Sequence, residues 1–223
     1  MENTLVLGID TSCKIGSVSL SEGQRPLGEI SLEISARSSE KVMPAVDFLL
    51  KQTNRDRRDI GLVALSIGPG SYTGLRVGLS TAKAICYANN IQMVTVNTLH
   101  ALAERLPLAF FAVAPLIDAR ASLVYSALYK WGEEKIPTKA RKLDDFIDML
   151  PDDMVIFTGL DLNKFGDKIK EKLGEKAVLA HNWVRFPSAL VVSHIGFPKF
   201  LDGDTADIDG ITPEYLRDFM PKK

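Results

Sequence analysis

An aspartate followed by small polar side chains stands at the end of a short apolar run near the start of the chain. The run covers residues 5–9, and Asp10, Thr11, Ser12 and Cys13 follow it. A carboxylate at the end of a strand, beside hydroxyls and free backbone N–H groups, can hold a hydrated metal ion and a phosphate. The same residues are also typical of a plain turn, in which Asp and Ser bond their own backbone. The sequence leaves both interpretations open.

A glycine-rich segment follows a second apolar run. Residues 68–74 read Gly-Pro-Gly-Ser-Tyr-Thr-Gly and precede a predicted helix. Glycines let a backbone approach a ligand closely, and the N–H groups at the start of a helix attract anions. The segment is not a P-loop, because no Gly-Lys-Ser/Thr follows, and a plain strand-to-helix turn is the alternative. The predicted phosphate or nucleotide loop comprises Asp10, Thr11, Ser12, Gly68 and Gly70.

Other reactive side chains do not form a recognisable site. The histidines are His100, His181 and His194, and no pair has the spacing of helical metal ligands. No Gly-x-Ser-x-Gly motif is present. Cys13 and Cys86 have neither metal-site spacing nor the pattern of a disulfide framework, and they fit a reducing cytoplasm. We predict no catalytic residue and no metal site from these patterns.

Small residues recur every fourth position along the helix predicted after the glycine-rich segment. They are Gly74, Gly78, Ala82 and Cys86. Each glycine costs a helix about 1 kcal/mol relative to alanine, so two in one helix require a packing reason. A stripe of small side chains lets another element approach the helix backbone closely. That element is either the chain's own sheet or a helix of another subunit.

Hydrophobic periodicity predicts the elements that must position these residues. Continuous apolar runs at 5–9 and 62–67 predict buried strands, and alternation at 16–21 and 26–34 predicts a hairpin. Apolar residues at helical spacing predict a helix over 39–54 and another after the glycine-rich segment. The second half of the chain repeats this order more faintly, with a last helix that extends up to Pro198.

Two consecutive βββαβα units predict an α/β protein with two tandem ribonuclease-H-like domains and a cleft between them. This is the layout of the actin, sugar-kinase and chaperone-ATPase superfamily, in which ligands collect at the carboxyl ends of strands. We place the first domain at residues 1–106, including the helices that carry the small stripe. The second, smaller domain takes residues 107–223, and its last segment, from about 201, is expected to pack back on the first domain.

Composition narrows the functional classes. The 223 residues include 27 basic and 28 acidic side chains, and 46% of them are hydrophobic. These values exclude disorder as the dominant state and give no general electrostatic reason to bind nucleic acid. No apolar run is long enough to span a membrane, and the N-terminus lacks the basic region of a signal peptide. We expect a cytoplasmic protein with no membrane partner.

Several segments of the chain resemble the TsaB (YeaZ) family. The segments are residues 7–12, 38–50, 66–78, 117–120, 124–129 and 213–217. The most specific of them contains Gly-Pro-Gly-Ser-Tyr-Thr-Gly-Leu-Arg. The chain departs from the family at Ser38, where histidine is frequent, and at Ala121 and Ser122, where a charged pair is common.

The resemblance implies a role in making threonylcarbamoyladenosine in tRNA. TsaB is understood as the non-catalytic partner of TsaD, which transfers a threonylcarbamoyl group to an adenosine beside the anticodon, and the two act with the ATPase TsaE. TsaD proteins carry two metal-binding histidines on the helix after the fifth strand. Those positions fall here on Thr98 and Leu102, and a leucine cannot coordinate a metal. The resemblance therefore implies a pseudo-enzyme with no required cofactor, and it leaves ATP or ADP with magnesium to the complex.

The resemblance also implies how the chain associates. The helices over 39–54 and 73–89 are expected to pair with the same helices of TsaD, or of a second copy when the chain is alone. tRNA is expected to bind only through the complex. The predicted partner interface comprises Val42, Val46, Leu49, Gly74, Leu75, Gly78, Ala82 and Cys86.

Three rival functions remain at this stage. The first is an independent ATPase or kinase of the actin-like fold, in which Asp10 and the two loops would hold phosphate and metal. A glycoprotease-type peptidase ranks below it, because the sequence offers no pair of metal ligands and no nucleophile with a base. A self-associating structural protein is the third.

Overall fold

The computed structural model describes residues 3–33, 39–107 and 110–216, and the chain divides into two units. The first unit comprises the described part of Met1–Ala101 together with Pro187–Pro213. The second unit comprises Leu102–Phe186 and the described residues from Glu214 onward. The predicted departure at Ser38, the end of the hairpin at residue 34 and part of the C-terminal segment lie outside the described residues.

Each unit contains one five-stranded mixed sheet. The first sheet has β1 (Leu5–Asp10), β2 (Ile15–Glu22), β3 (Arg25–Glu33), β4 (Ile60–Gly68) and β5 (Gln92–Asn97). The second has β6 (Ala112–Arg120), β7 (Leu123–Lys130), β8 (Glu133–Lys142), β9 (Val155–Thr158) and β10 (Ala177–Leu179). Helices α1 to α6 are Ser39–Gln52, Tyr72–Asn89, Thr98–Ala103, Leu143–Ile147, Leu162–Leu173 and Ala189–Leu201.

The two sheets have the same strand order. The first is ordered β3-β2-β1-β4-β5, and the second is ordered β8-β7-β6-β9-β10 when read from the equivalent edge. In each sheet the central strand pairs antiparallel with the next strand in the chain and parallel with the fourth. The predicted fold class, two tandem βββαβα-type units, is confirmed.

Helices cover both faces of the first sheet. Strand β1 is buried at all six positions, because alternate side chains enter two different apolar clusters. Leu7 and Ile9 pack with residues of α1 and α2, whereas Val6 packs with Val192 and Phe197 of α6. Strand β1 is therefore the central strand of the first sheet, and both of its faces are buried.

Helix α6 explains how the units divide. The sequence prediction gave residues 107–223 to the second domain and let only the segment from about 201 return. In the structure the first unit takes in Pro187–Pro213, because α6 covers one face of the first sheet.

The helix also continues beyond Pro198, where the sequence predicted its end. Pro198 has no N–H to donate to the carbonyl of His194. The side chain of Gln24 donates to that carbonyl instead, at 3.1 Å.

Gly8 allows α6 to lie against β1. A Cβ atom on Gly8 would lie 2.3 Å from the carbonyl oxygen of Ala189 and 2.4 Å from the hydroxyls of Ser19 and Ser193. We expect Gly8→Ala to lower the free energy of unfolding by about 3 kcal/mol, because a backbone carbonyl cannot move aside without displacing the helix. Chemical denaturation of the purified variant measures this.

Gly28→Ala is the matched control in the same sheet. A Cβ atom there would meet only the end of the Leu49 side chain, at 3.1 Å. A flexible side chain can shift, so the expected loss is below about 1 kcal/mol. Equal losses in the two variants would contradict the role given to Gly8.

Candidate functional site

The carboxyl end of β1 and the start of α2 are joined by direct hydrogen bonds. The N–H of Ser71 donates to the carbonyl of Ser12 at 2.6 Å. The hydroxyl of Thr11 donates to the carbonyl of Gly74 at 2.7 Å, inside the protein. These bonds hold the two predicted loop segments against each other, and we call the five residues Asp10, Thr11, Ser12, Gly70 and Gly74 the strand-end junction.

The glycines of the junction are required by this close approach. A Cβ atom on Gly70 would lie 2.3 Å from the carbonyl oxygen of Ser12. A Cβ atom on Gly74 would lie 2.0 Å from the carbonyl oxygen of Thr11. Gly68 has a φ of +131°, a conformation that glycine adopts far more readily than other residues. The chain's own backbone thus accounts for these glycines without a ligand.

Asp10 is completely buried and serves as an acceptor within the junction. The N–H of Ser12 donates to Oδ1 of Asp10 at 3.1 Å, and the Ser12 hydroxyl lies 3.0 Å from Oδ1 and 3.2 Å from Oδ2. Burial raises the pKa of Asp10 to about 6, and the hydrogen bonds from Ser12 oppose that rise. The pocket beside Asp10 and Thr11 has a volume of about 10 Å³, so it has space for no more than one water molecule.

The structure thus brings together Asp10, Thr11, Ser12 and Gly70, with Gly68 at the adjacent strand end. Their use as a phosphate or nucleotide loop stays a prediction. Among residues 3–33, 39–107 and 110–216, no three His, Cys, Asp or Glu side chains are grouped so that they could hold a metal ion. Thr98 and Leu102 are both fully buried.

The residues predicted for the partner interface lie inside the first unit. Gly74 and Gly78 are buried, and the other six are buried apolar residues that are at most 5% exposed: Val42, Val46, Leu49, Leu75, Ala82 and Cys86. A Cβ atom on Gly78 would lie 2.3 Å from the Thr11 hydroxyl. The small stripe therefore packs on the chain's own sheet, and these eight residues do not themselves form a surface.

The opposite face of α2 is the surface that the sequence analysis missed. An open groove of about 380 Å³ follows this face. The guanidinium of Arg76 lies 3.9 Å from the centroid of the Tyr72 ring. We call the groove-lining residues the α2 outer face: Tyr72, Thr73, Arg76, Val77, Ser80 and Thr81. The four-residue spacing of Tyr72, Arg76 and Ser80 was the available signal.

The sequence of this chain is similar to those of known proteins. Residues 24–202 match the family described as TsaD, tRNA N6-adenosine threonylcarbamoyltransferase. The TsaB protein of Bacillus subtilis is 29% identical, and the match covers 95% of this chain and 93% of that protein. A tRNA N6-adenosine threonylcarbamoyltransferase of Sphingopyxis alaskensis is 33% identical, over 46% of this chain and 35% of that enzyme.

A solved structure shows the same fold. YeaZ from Pseudomonas aeruginosa superposes with a TM-score of 0.80 at 22% identity, covering 96% of this chain and all of that one. In the part of the chain that the structure describes, no helix combines the length and apolar character needed to cross a membrane.

The burial of Asp10 predicts a pH-dependent effect of Asp10→Asn. The pKa is raised from 3.8 to about 6 on folding, so protonation contributes stability that is present below about pH 4 and lost as the pH rises through about 6. Asparagine is neutral throughout and keeps an acceptor for Ser12. The free energy of unfolding of the variant, relative to wild type, should rise by up to about 3 kcal/mol between about pH 4 and about pH 7.5.

Chemical denaturation at a series of pH values measures this difference. Asp202→Asn, at an exposed position after α6, is the control for the Asp-to-Asn substitution itself. A constant difference between Asp10→Asn and wild type across the pH range would rule out a folded pKa above the ordinary one.

Proposed function

Because this chain belongs to the family of TsaD, the tRNA N6-adenosine threonylcarbamoyltransferase, we propose that it acts in the cytoplasm as the non-catalytic partner of TsaD. In this role it binds TsaD and helps it to hold its active state, while the ATPase TsaE acts with the pair. tRNA is modified by the complex.

The observation that carries this proposal is the extent of each match. The likeness to the Bacillus subtilis TsaB covers 93% of that protein, whereas the likeness to the Sphingopyxis alaskensis transferase covers 35% of that enzyme. The chain shares one part of the transferase and nearly all of TsaB. A role beside the transferase fits this pattern better than a role in its place.

Two features of the chain support the absence of catalysis. Leu102 stands at a position where the resemblance to TsaD calls for a metal-binding histidine, and it is fully buried. The strand-end junction is filled by hydrogen bonds within the chain, with room for at most one water beside Asp10. We therefore assign ATP or ADP with magnesium to other members of the complex.

The outer faces of α1 and α2 are the surface that we assign to TsaD, or to a second copy when the chain is alone. Phe48 of α1 is 55% exposed and Tyr87 of α2 is 57% exposed. Exposed aromatic residues are typical of surfaces that bind another protein. The buried small stripe contributes indirectly to this surface, because it sets the position of α2 on the sheet.

Threonylcarbamoyl transfer to cognate tRNA tests the proposed function. The TsaD and TsaE of the same organism are assayed with and without this chain. We expect transfer only when the chain is added, and none from the chain alone. Equal transfer without the chain would refute the proposal, and magnesium-dependent ATP turnover by the chain alone that is lost in Asp10→Ala would favour an independent ATPase.

Arg76→Glu tests the α2 outer face. Arg76 is an exposed residue, so the variant should keep the stability of the wild type while association with TsaD weakens about tenfold or more, because the charge of this face is reversed. Isothermal titration calorimetry measures the affinity. Lys170→Glu, an exposed charge reversal on α5, should bind TsaD normally.

Gly78→Leu makes the complementary comparison. A leucine there would overlap the Thr11 hydroxyl, so we expect this variant to unfold rather than to lose TsaD selectively. A folded Gly78→Leu variant, together with wild-type affinity of Arg76→Glu for TsaD, would contradict the assignment to the α2 outer face. The small stripe would then be the better candidate for the TsaD interface.

A further inference from the structure

Both tryptophans of the chain lie at the surface of the second unit. The sequence contains two tryptophans, and Trp131 is 71% exposed while Trp183 is 70% exposed. Tryptophan is on average a highly buried residue, because its indole ring carries a large apolar area. Two indole rings held in water therefore call for a functional explanation.

The backbone at Trp131 adds to this argument. Trp131 and Gly132 form the two-residue turn between β7 and β8, with φ values of 55° and 76°. A turn with two positive φ values favours Asn or Gly at its first position, and a bulky residue there is strained. The turn itself would be more stable with a smaller residue than tryptophan. Such strain is typical of positions that serve a function.

A cation contacts each tryptophan residue, at the ring of Trp131 and at the backbone of Trp183. The ammonium of Lys130 lies 5.1 Å from the centroid of the Trp131 ring. The guanidinium of Arg105 donates to the backbone carbonyl of Trp183 at 3.2 Å and lies 4.7 Å from the ring centroid of Phe186. These contacts hold Arg105 beside the backbone of Trp183 and the ring of Phe186.

The two tryptophan segments approach the same pair of residues. A Cβ atom on Gly132, next to Trp131, would lie 3.4 Å from a carboxylate oxygen of Glu104. Glu104 directly precedes Arg105, which bonds the backbone of Trp183. We group the residues that these contacts link within the second unit and call them the tryptophan surface: Glu104, Arg105, Lys130, Trp131 and Trp183.

We propose that the tryptophan surface binds a single-stranded segment of RNA, with bases stacked on Trp131 and Trp183 and phosphates near Lys130 and Arg105. The proposal rests on the proposed function, since tRNA is the substrate of the complex in which we place the chain. Every base has a π-face, so indole rings stack on single strands with little regard to sequence. Cations beside the rings complement the charge of the backbone.

The charges of the tryptophan surface predict how strongly RNA binding depends on salt. The surface has two cations and one carboxylate, Glu104, which repels phosphates but can accept a hydrogen bond from a base amino group. Stacking should therefore contribute more than charge. Neutralising two phosphates of a single strand predicts a shallow slope of about −1.4 for the logarithm of affinity against the logarithm of salt concentration.

Binding of a labelled uridine oligonucleotide of about ten residues tests the surface directly. Trp131→Ala and Trp183→Ala should each weaken binding about 5- to 100-fold, because each removes one stacking partner. Trp131→Tyr and Trp183→Tyr keep an aromatic ring and should restore binding to within a few-fold of wild type. Met149→Ala, which removes a 52% exposed apolar side chain of the same unit, should have no effect.

The outcomes separate this inference from the proposed function. In the transfer assay, the double variant Trp131→Ala/Trp183→Ala should raise the KM for tRNA while kcat and the affinity for TsaD stay unchanged. Oligonucleotide affinity that is equal in wild type and double variant would overturn the inference. So would a double variant that loses TsaD or TsaE but keeps its RNA affinity, because the surface would then be a protein contact. Failure of the wild-type chain to stimulate TsaD would instead refute the proposed function, whatever the oligonucleotide titration gives.

Discussion

The contact between the end of β1 and the start of α2 is the constraint on which the first unit depends. Two hydrogen bonds, from Ser71 to Ser12 and from Thr11 to Gly74, join backbone segments that are far apart in the chain. The carbonyl oxygens of Ser12 and Thr11 come so close to Gly70 and Gly74 that no side chain fits between them. Strand β1 is covered on both faces, so α2 can dock only where these glycines allow it.

This contact also bears on the predicted phosphate or nucleotide loop. A carboxylate at the end of a strand can bind a ligand or can support a turn. Ligand binding requires that solvent reaches the carboxylate. Burial raises the pKa of Asp10, and both the N–H and the hydroxyl of Ser12 donate to its carboxylate. The hydroxyl of Thr11 and the N–H groups of Ser12 and Ser71 donate to acceptors within the chain. The hydrogen bonds described at this strand end therefore serve internal support, and its use as a phosphate or nucleotide loop stays a prediction.

Local patterns predicted the elements well and their contacts poorly. The apolar run at 5–9 became β1, and the helix expected over 73–89 became α2, because both follow from short-range periodicity. The Thr11 to Gly74 bond spans 63 positions, and no local pattern signals it. For the same reason the sequence did not decide whether the small stripe that contains Gly78 packs on the chain's own sheet or on a helix of another subunit. The exposed tryptophans were missed because periodicity identifies buried faces, and Trp131 lies in a turn.

The second unit shows that the glycine requirement belongs to the topology. Strand β9 occupies the place in its sheet that β4 occupies in the first sheet. Gly159 follows β9 with a φ of +128°, against +131° for Gly68 at the end of β4. A Cβ atom on Gly159 would lie 1.9 Å from the carbonyl oxygen of Leu116 in the central strand β6. In both units the chain thus leaves the equivalent strand through a glycine, and in the second unit this glycine directly abuts the central strand. Since this device serves packing in a unit with no phosphate-loop motif, glycine at such a strand end is weak evidence for a nucleotide. The exposed side chains, which the fold does not require, are the stronger evidence for function.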